Sequence, residues 1–203
     1  MHHDCCVILK MVILVIMSNL PHDMDVLLAR LFPICRSITG NGVRQTFALL
    51  GEHAPLEIHE VPSGTHALDW IVPKEWNVRD AYVKNAAGEK VIDFAQSNLH
   101  VMSYSVPVRV RTNLAELKEH LYSLPDDPET IPYRTSYYNS NWGFCLAHKD
   151  LLALPEGEYE VMIDSALEDG SLTYGEMFIK GKTDEEVLIS TYICHPSLAK
   201  CSS

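Results

Sequence analysis

A histidine at the end of an apolar run is the residue of this chain best placed to do chemistry. The run, residues 187–193, is rich in β-branched and aromatic side chains and predicts a strand buried on both faces. His195 lies just past its end, where open α/β sheets place functional residues. A neutral imidazole held there is suited to binding zinc. A single histidine is also commonly a hydrogen-bonded structural residue, and the residues alone leave both interpretations open.

The neighbouring thiol suggests a different chemistry. Cys194 beside His195 could act as a nucleophile activated by a base. Adjacent residues of a strand point to opposite faces of the sheet, so a direct Cys–His ion pair is geometrically poor. A buried structural thiol is therefore the favoured interpretation of Cys194.

An aromatic stretch with polar tips lies further towards the N-terminus. It contains Tyr133, Tyr137, Tyr138 and Trp142, residues of the kind that line ligand pockets. We predict these four as substrate-binding residues. Equally, they could seal the join between two domains, and the sequence does not decide between the two roles.

Composition excludes several classes of protein. The chain has 203 residues with 47% hydrophobic and 21% charged side chains, ordinary values for a globular protein. The formal net charge is −11, and no basic cluster stands out, which argues against binding to nucleic acid. Six cysteines form no CxxC pair and are too sparse for a disulfide scaffold. Reduced thiols and a cytoplasmic location are therefore expected.

The first 23 residues are predicted to be an apolar N-terminal extension. Their apolar run, residues 5–17, is broken by Lys10 and is too short to span a bilayer. It resembles the apolar part of a signal peptide, yet no small-residue cleavage site follows it. We interpret it as an upstream extension, with Met17 or Met24 as the start, and predict no transmembrane span. A segment lying on a membrane surface is the alternative.

The elements that must position these residues are of two kinds: helices and longer strands, and a group of short, closely spaced strands. Helices are predicted at 24–31 and 43–50 and a strand at 56–61, followed by short strands at 67–72, 80–84, 90–94 and 106–110. Asn113 is a predicted N-cap for a helix over 114–121. The closely spaced strands indicate a small β-rich domain, residues 62–132, inserted between residues 24–61 and residues 133–203.

The region after the insert returns to longer strands. Residues 142–146 form one, and residues 159–164 and 172–179 are predicted to form a hairpin. The carboxylates Asp164 and Glu176 lie on this hairpin and are interpreted as solvated strand residues. The predicted fold class is α/β.

Several long motifs, in order, resemble a known family. They are CRSITGNGVRQT at 35–46, VPKEWNVRDAY at 72–82, SNLHV at 97–101, DGSLTYGE at 169–176 and ISTYICHPS at 189–197. Over residues 24–199 the chain resembles the bacterial aminopeptidase-like domain proteins associated with polysaccharide biosynthesis. That family is similar to the di-zinc aminopeptidases.

The resemblance implies a zinc-aminopeptidase-like α/β/α domain carrying a small inserted β-rich domain. It also implies that His195 is the first zinc ligand of a site that holds two zinc ions in a full-length relative. The family usually continues with an Asn-Asp pair where this chain has Lys200 and Cys201. The expectation is a C-terminally truncated chain whose other ligands and general-base glutamate would lie beyond Ser203, and which does not bind zinc stably.

The function implied is the N-terminal fragment of a zinc-dependent hydrolase of small peptide or amide substrates, inactive alone. A non-catalytic module that binds peptide or sugar is the first alternative, with the aromatic stretch as its binding surface. The second is the remnant of a frameshifted gene, because the change of sequence coincides with the chain end. Neither the substrate nor the oligomeric state is indicated.

Overall fold

A computed structural model describes residues 23–137 and 139–195. The helices are α1 (residues 23–31), α2 (Asn41–Leu50), α3 (Leu114–Lys118) and α4 (His148–Ala153), with one 3₁₀ turn at Asn98–His100. The strands are β1 (Glu57–Pro62), β2 (His66–Ala67), β3 (Trp70–Ile71), β4 (Glu75–Lys84), β5 (Lys90–Asp93), β6 (Val108–Asn113), β7 (Leu121–Tyr122), β8 (Phe144–Cys145), β9 (Glu158–Glu168) and β10 (Ser171–Glu176). No helix of these residues is both long and apolar enough to cross a membrane.

A four-stranded antiparallel sheet in the order β5-β4-β9-β6 forms the centre of the structure. Its two long strands alternate buried and exposed side chains, so that Val83, Val161 and Ile163 lie on the covered face. The sheet combines strands from both sides of residue 133, the predicted end of the inserted domain. The division into domains stays a prediction.

The core lies where this sheet packs against α3 and the loops around it. It consists of apolar and aromatic side chains from nearly every element, among them Trp76, Tyr104, Leu114, Leu117, Phe144, Leu146 and Tyr159. Each large side chain fully buried in this way stabilises the fold by about 1.5–3 kcal/mol relative to exposure.

Local sequence signals predicted several elements correctly. Helix α2 ends at Leu50 with Gly51 after it, and β4 and β5 flank a tight turn in which Gly88 has a φ of 82°. Asn113 caps α3 as predicted, because its side-chain oxygen accepts a 3.0 Å hydrogen bond from the Glu116 N–H. The predicted buried face of α1 is only partly right, since Leu31 is buried while Met24 and Val26 are exposed.

The predicted hairpin of residues 159–164 and 172–179 is wrong. The two strands exist as β9 and β10, but β9 pairs with β4 and β6, whereas β10 pairs with β1. A strand has two edges, and both edges of β9 are already occupied. Residues 67–72 are likewise not one strand, because β2 and β3 turn back on each other at Leu68, whose φ is 56°.

The predicted α/β class is confirmed only in its coarse form, a mixed α and β structure. The described residues form mostly antiparallel sheet with few helices, and they do not build the three layers of an α/β/α domain. The predicted buried strand at 187–193 is also wrong here: Val187, Leu188 and Ile189 are each more than 85% exposed. None of the strands in the described residues pairs with this run, so its backbone forms no inter-strand hydrogen bonds with them.

Candidate functional site

His195 lies half-buried between two aromatic rings. The Tyr133 ring is 4.7 Å away, centroid to centroid, and meets the imidazole at 65°. The Tyr192 ring is 5.2 Å away on an edge-on approach of 88°. The structure therefore brings the predicted metal ligand His195 together with the predicted substrate residue Tyr133, which the sequence analysis had found separately.

Three further aromatic side chains pack on one another towards the core, and one of them, Tyr137, lies near Tyr133. Tyr137 lies 5.1 Å from Tyr104, and Tyr104 in turn stacks on Trp76 at 5.8 Å. We call the set formed by Trp76, Tyr104, Tyr133, Tyr137 and Tyr192 around His195 the aromatic cluster. At one end of the cluster, Trp76 and Tyr104 are buried in the core. At the other end, Tyr133 and Tyr192 contact His195.

Burial raises the pKa of two phenols of this cluster, Tyr104 and Tyr133. It raises the pKa of Tyr104 to about 12, although the hydroxyl of Thr39, 2.8 Å from the phenol oxygen, acts in the opposite direction. Burial raises the pKa of Tyr133 well above its usual range, and the neighbouring Tyr137 adds to the effect. At neutral pH both groups are therefore hydrogen-bond donors that carry no charge.

The backbone beneath the cluster is held by a short parallel bridge between Ser103 and Thr135. The Ser103 N–H donates to the Arg134 carbonyl at 2.9 Å, and the Ser136 N–H donates back to the Ser103 carbonyl at 3.0 Å. This pairing fixes the segment that carries Tyr133 against the segment that carries Tyr104.

Two residues of the cluster have left-handed backbones. Tyr104 has a φ of 66° and Tyr137 a φ of 42°; the other non-glycine residue of this kind in the described chain is Leu68. Such conformations cost on the order of 1 kcal/mol or more and persist where the surroundings impose them. The cluster is thus a place where local strain is tolerated to hold side chains in position.

The other predicted substrate residues are not part of this contact. Trp142 stacks on His120 at 3.6 Å, and His120 Nδ1 lies 3.0 Å from the Trp142 carbonyl oxygen. Tyr138 lies outside the described residues. The substrate-binding roles of Tyr133, Tyr137, Tyr138 and Trp142 stay predictions, as does zinc binding by His195.

The donor set around His195 does not complete a metal site. In residues 23–137 and 139–195, no group of three His, Cys, Asp or Glu side chains close enough to share an ion includes His195. Its neighbour Cys194 has an intermediate exposure. Because catalytic zinc ions are usually held by three protein ligands, these residues alone do not fit a zinc centre.

A group of donors that sequence reasoning missed lies on the β1–β10 pair. Glu57, His59 and Glu176 place one ligand atom each within 4.8 Å of one another. Glu57 and His59 are two residues apart on one strand, a spacing that puts them on the same face. That spacing was a usable signal, but Glu176 could be added only once its pairing with Glu57 was known.

The motifs at 35–46 and 72–82 meet in an ion network close to the sheet. Arg44 on α2 donates to both carboxylate oxygens of Glu75, at 2.8 and 2.7 Å, and to Glu60 at 2.7 Å. Its guanidinium lowers the pKa of Glu75 to about 2. Gly42 permits the close approach of the segments before and in α2, since a Cβ there would collide with the Cys35 carbonyl. These residues position elements, and nothing in their geometry indicates chemistry.

Comparison with known proteins identifies a relative for most of the chain. It is 60% identical over 172 residues to a Clostridium acetobutylicum protein named "Putative polysaccharide biosynthesis protein with aminopeptidase-like domain". The predicted resemblance is confirmed. The match covers 85% of this chain and 40% of the relative, so the chain spans about two fifths of the length of the curated relative it matches.

A solved structure and a family model agree with this similarity. A crystal structure named "putative peptidase", also from Clostridium acetobutylicum, matches with a TM-score of 0.86 and 58% identity. It covers 90% of this chain and 43% of that chain. Residues 75–166 match a family described as a domain of unknown function, DUF2172. This range contains the central sheet and most of the aromatic cluster.

Proposed function

We propose that this chain is the portion of a zinc-dependent aminopeptidase-like hydrolase that supplies one metal ligand, His195, and an aromatic wall for the substrate. Two observations support the proposal: the identity to an aminopeptidase-like protein, and the position of His195 against Tyr133. The second carries most of the argument, because it joins a candidate ligand to a candidate substrate residue. In the full-length protein the chain would form part of an α/β/α domain.

The described residues set limits on what the chain does alone. One imidazole does not hold a catalytic zinc ion, and no carboxylate joins His195 in the described residues to act as a second ligand. The remaining ligands and a general base would come from other residues of the full-length protein. We therefore expect no hydrolysis of peptide or amide substrates by the 203-residue chain itself.

In this proposal the aromatic cluster orients the substrate. The uncharged phenol of Tyr133 can donate a hydrogen bond to a peptide carbonyl, and the ring faces of Tyr133 and Tyr192 offer apolar contact on either side of the imidazole. Trp142 would contribute less, because its ring is already covered by His120. Small peptides or amides remain the proposed substrates.

The free thiols of the described residues favour a reducing compartment. Cys35 and Cys145 make no disulfide, and cytoplasmic proteins usually keep their thiols reduced. We therefore include a cytoplasmic location in the proposal.

The test uses the full-length Clostridium acetobutylicum relative with alanine at the position that matches His195. Zinc content is measured by elemental analysis, and activity is followed on chromogenic aminoacyl amides. We expect loss of bound zinc and at least a 100-fold fall in activity, since even changes to residues that only support a metal ligand cost about 10- to 100-fold. The matched control is alanine at the position of His66, an exposed histidine on β2, which should retain both zinc and activity.

Unchanged zinc content and activity in the His195→Ala variant would contradict the assignment. A full-length protein without zinc and without hydrolysis would favour the alternative, a non-catalytic binding module. Tyr133 and Tyr192, at the end of the cluster next to His195, would then contact a peptide or a sugar, and binding rather than turnover would fall on substitution of Tyr133.

A further inference from the structure

We infer that Glu57, His59 and Glu176 form a binding site for a divalent transition-metal ion on the β1–β10 strand pair. The site does not include His195 and is independent of the proposed hydrolase activity. His59 Nε2 lies 3.2 Å from Glu176 Oε1 and 3.7 Å from Glu57 Oε1. The three donors come from two strands whose backbone pairing places their Cα atoms side by side.

The strand register explains why the donors converge. Glu57 and His59 occupy alternate positions of β1 and so share a face, while Glu176 is the direct cross-strand partner of Glu57. Two carboxylates directly opposite each other in an antiparallel pair repel. A cation between them removes that repulsion, and it ties together a two-stranded sheet of the kind that is only marginally stable alone.

The imidazole is oriented towards the carboxylates. Its ring stacks on Tyr174, the cross-strand partner of His59, at 4.9 Å and 22°. The Nε2 atom is buried and makes no hydrogen bond within the described residues, because the Glu57 oxygen at 3.7 Å is too distant and the Glu176 oxygen at 3.2 Å is not aligned for one. His59 Nε2 thus lies near anionic oxygens without a hydrogen bond to either of them. This is the arrangement expected of a metal ligand.

The distances fit a metal of zinc type. Donors bound at about 2.0–2.1 Å in a tetrahedron are separated from each other by roughly 3.3 Å. The observed 3.2 and 3.7 Å are close to this value, and the separation of the two carboxylate oxygens, within 4.8 Å, is reached by rotation of the exposed glutamate side chains. One imidazole nitrogen with two carboxylate oxygens suits zinc or a similar ion, whereas calcium and magnesium prefer oxygen donors alone. Water would complete the coordination.

The experiment titrates the chelator-treated 203-residue chain with zinc and, separately, with cobalt(II). Zinc stoichiometry and affinity are read by calorimetry, and cobalt coordination by its visible absorption. The variants are His59→Ala and Glu176→Gln; the controls are His66→Ala, an exposed histidine on β2, and His195→Ala. Glu176 is exposed enough that its substitution is compatible with folding, which circular dichroism verifies for every protein.

The expected result is one zinc equivalent that both controls retain and that His59→Ala and Glu176→Gln bind at least about tenfold more weakly. Wild-type cobalt absorption typical of tetrahedral coordination should be lost in the same two variants. Zinc binding of equal affinity in wild type and both site variants overturns the inference, as does the absence of zinc binding by the wild-type chain at neutral pH. Loss of binding in His195→Ala alone would also overturn it, while leaving the proposed function standing.

Discussion

Strand β9 and residues 187–193 both contain β-branched and aromatic side chains, but only those of β9 are buried. Tyr159, Val161 and Ile163 of β9 are buried, whereas Val187, Leu188 and Ile189 of the later run are exposed. The difference is the presence of neighbours, since β9 has β4 on one edge and β6 on the other. An apolar run becomes a buried strand only where other strands supply hydrogen bonds and a covered face.

The largest expected difference in stability is between two isoleucine-to-alanine substitutions, one in β9 and one in residues 187–193. Ile163 is 2% exposed and Ile189 is 89% exposed. Ile163→Ala should lower the free energy of unfolding by about 2–4 kcal/mol, because it removes buried contacts and leaves a cavity. Ile189→Ala should change it by less than about 0.5 kcal/mol. Urea unfolding measures both, and equal effects would mean that residues 187–193 are as well packed as β9.

The ion network beside the sheet should give the next effect. The Arg44 guanidinium lowers the pKa of Glu75 from its ordinary 4.5 to about 2, so this ion pair stabilises the fold above about pH 4.5. That contribution disappears as the pH falls from there towards 2. Glu75→Gln should lower the free energy of unfolding by on the order of 2 kcal/mol at neutral pH. It should also weaken the dependence of that free energy on pH below about 4.5.

Glu185→Gln is the matched control, since Glu185 is an exposed carboxylate in the C-terminal segment. It should leave the free energy of unfolding within about 0.5 kcal/mol of wild type. Chemical unfolding between pH 2 and 7 compares the variants. If the free energy of unfolding of Glu75→Gln falls as steeply between about pH 4.5 and 2 as that of the wild type, other carboxylates dominate acid unfolding.

The cap of α3 is expected to contribute less. Asn113→Ala removes the acceptor for the Glu116 N–H and should cost about 1 kcal/mol, whereas Asn113→Asp keeps an acceptor and should retain most of the stability. Thermal unfolding distinguishes them. If the aspartate variant is destabilised as much as the alanine variant, the side chain of Asn113 stabilises the protein by something other than capping.

Leu188→Lys is expected to have the smallest effect on stability. It should nevertheless reduce self-association clearly. Leu188 is 91% exposed, and contiguous exposed apolar residues promote contact between chains. A charge there should leave the unfolding midpoint unchanged and reduce self-association, measured by light scattering at increasing concentration. Unaltered scattering would assign any association to another surface.

Elements defined by local chemistry were predictable from the sequence. The Asn113 cap, the turn that ends in Gly88 and the end of α2 at Gly51 each depend on a few adjacent residues. Strand pairing was not predictable in the same way. Leu172 pairs with Val61 of β1 rather than with β9, because edges already occupied by other strands exclude it.

The candidate site shows the same division. His195 and Tyr133 were each recognisable by type and position, but their ring contact depends on the path of residues that neither motif specifies. Glu57 and His59 were overlooked and Glu176 was interpreted as solvated, since a carboxylate that faces a metal site cannot be distinguished from a solvated one until its cross-strand partner is known.

The place of β9 in the central sheet has a consequence for synthesis of the chain. Strands β4 and β6 are made early, yet neither pairs with the other, and both wait for β9 to complete their hydrogen bonds. On the ribosome, β4 and β6 therefore each keep an unpaired edge until residues 158–168 emerge. Translation stalled before that point would release a nascent chain that exposes unpaired strands and depends on chaperones.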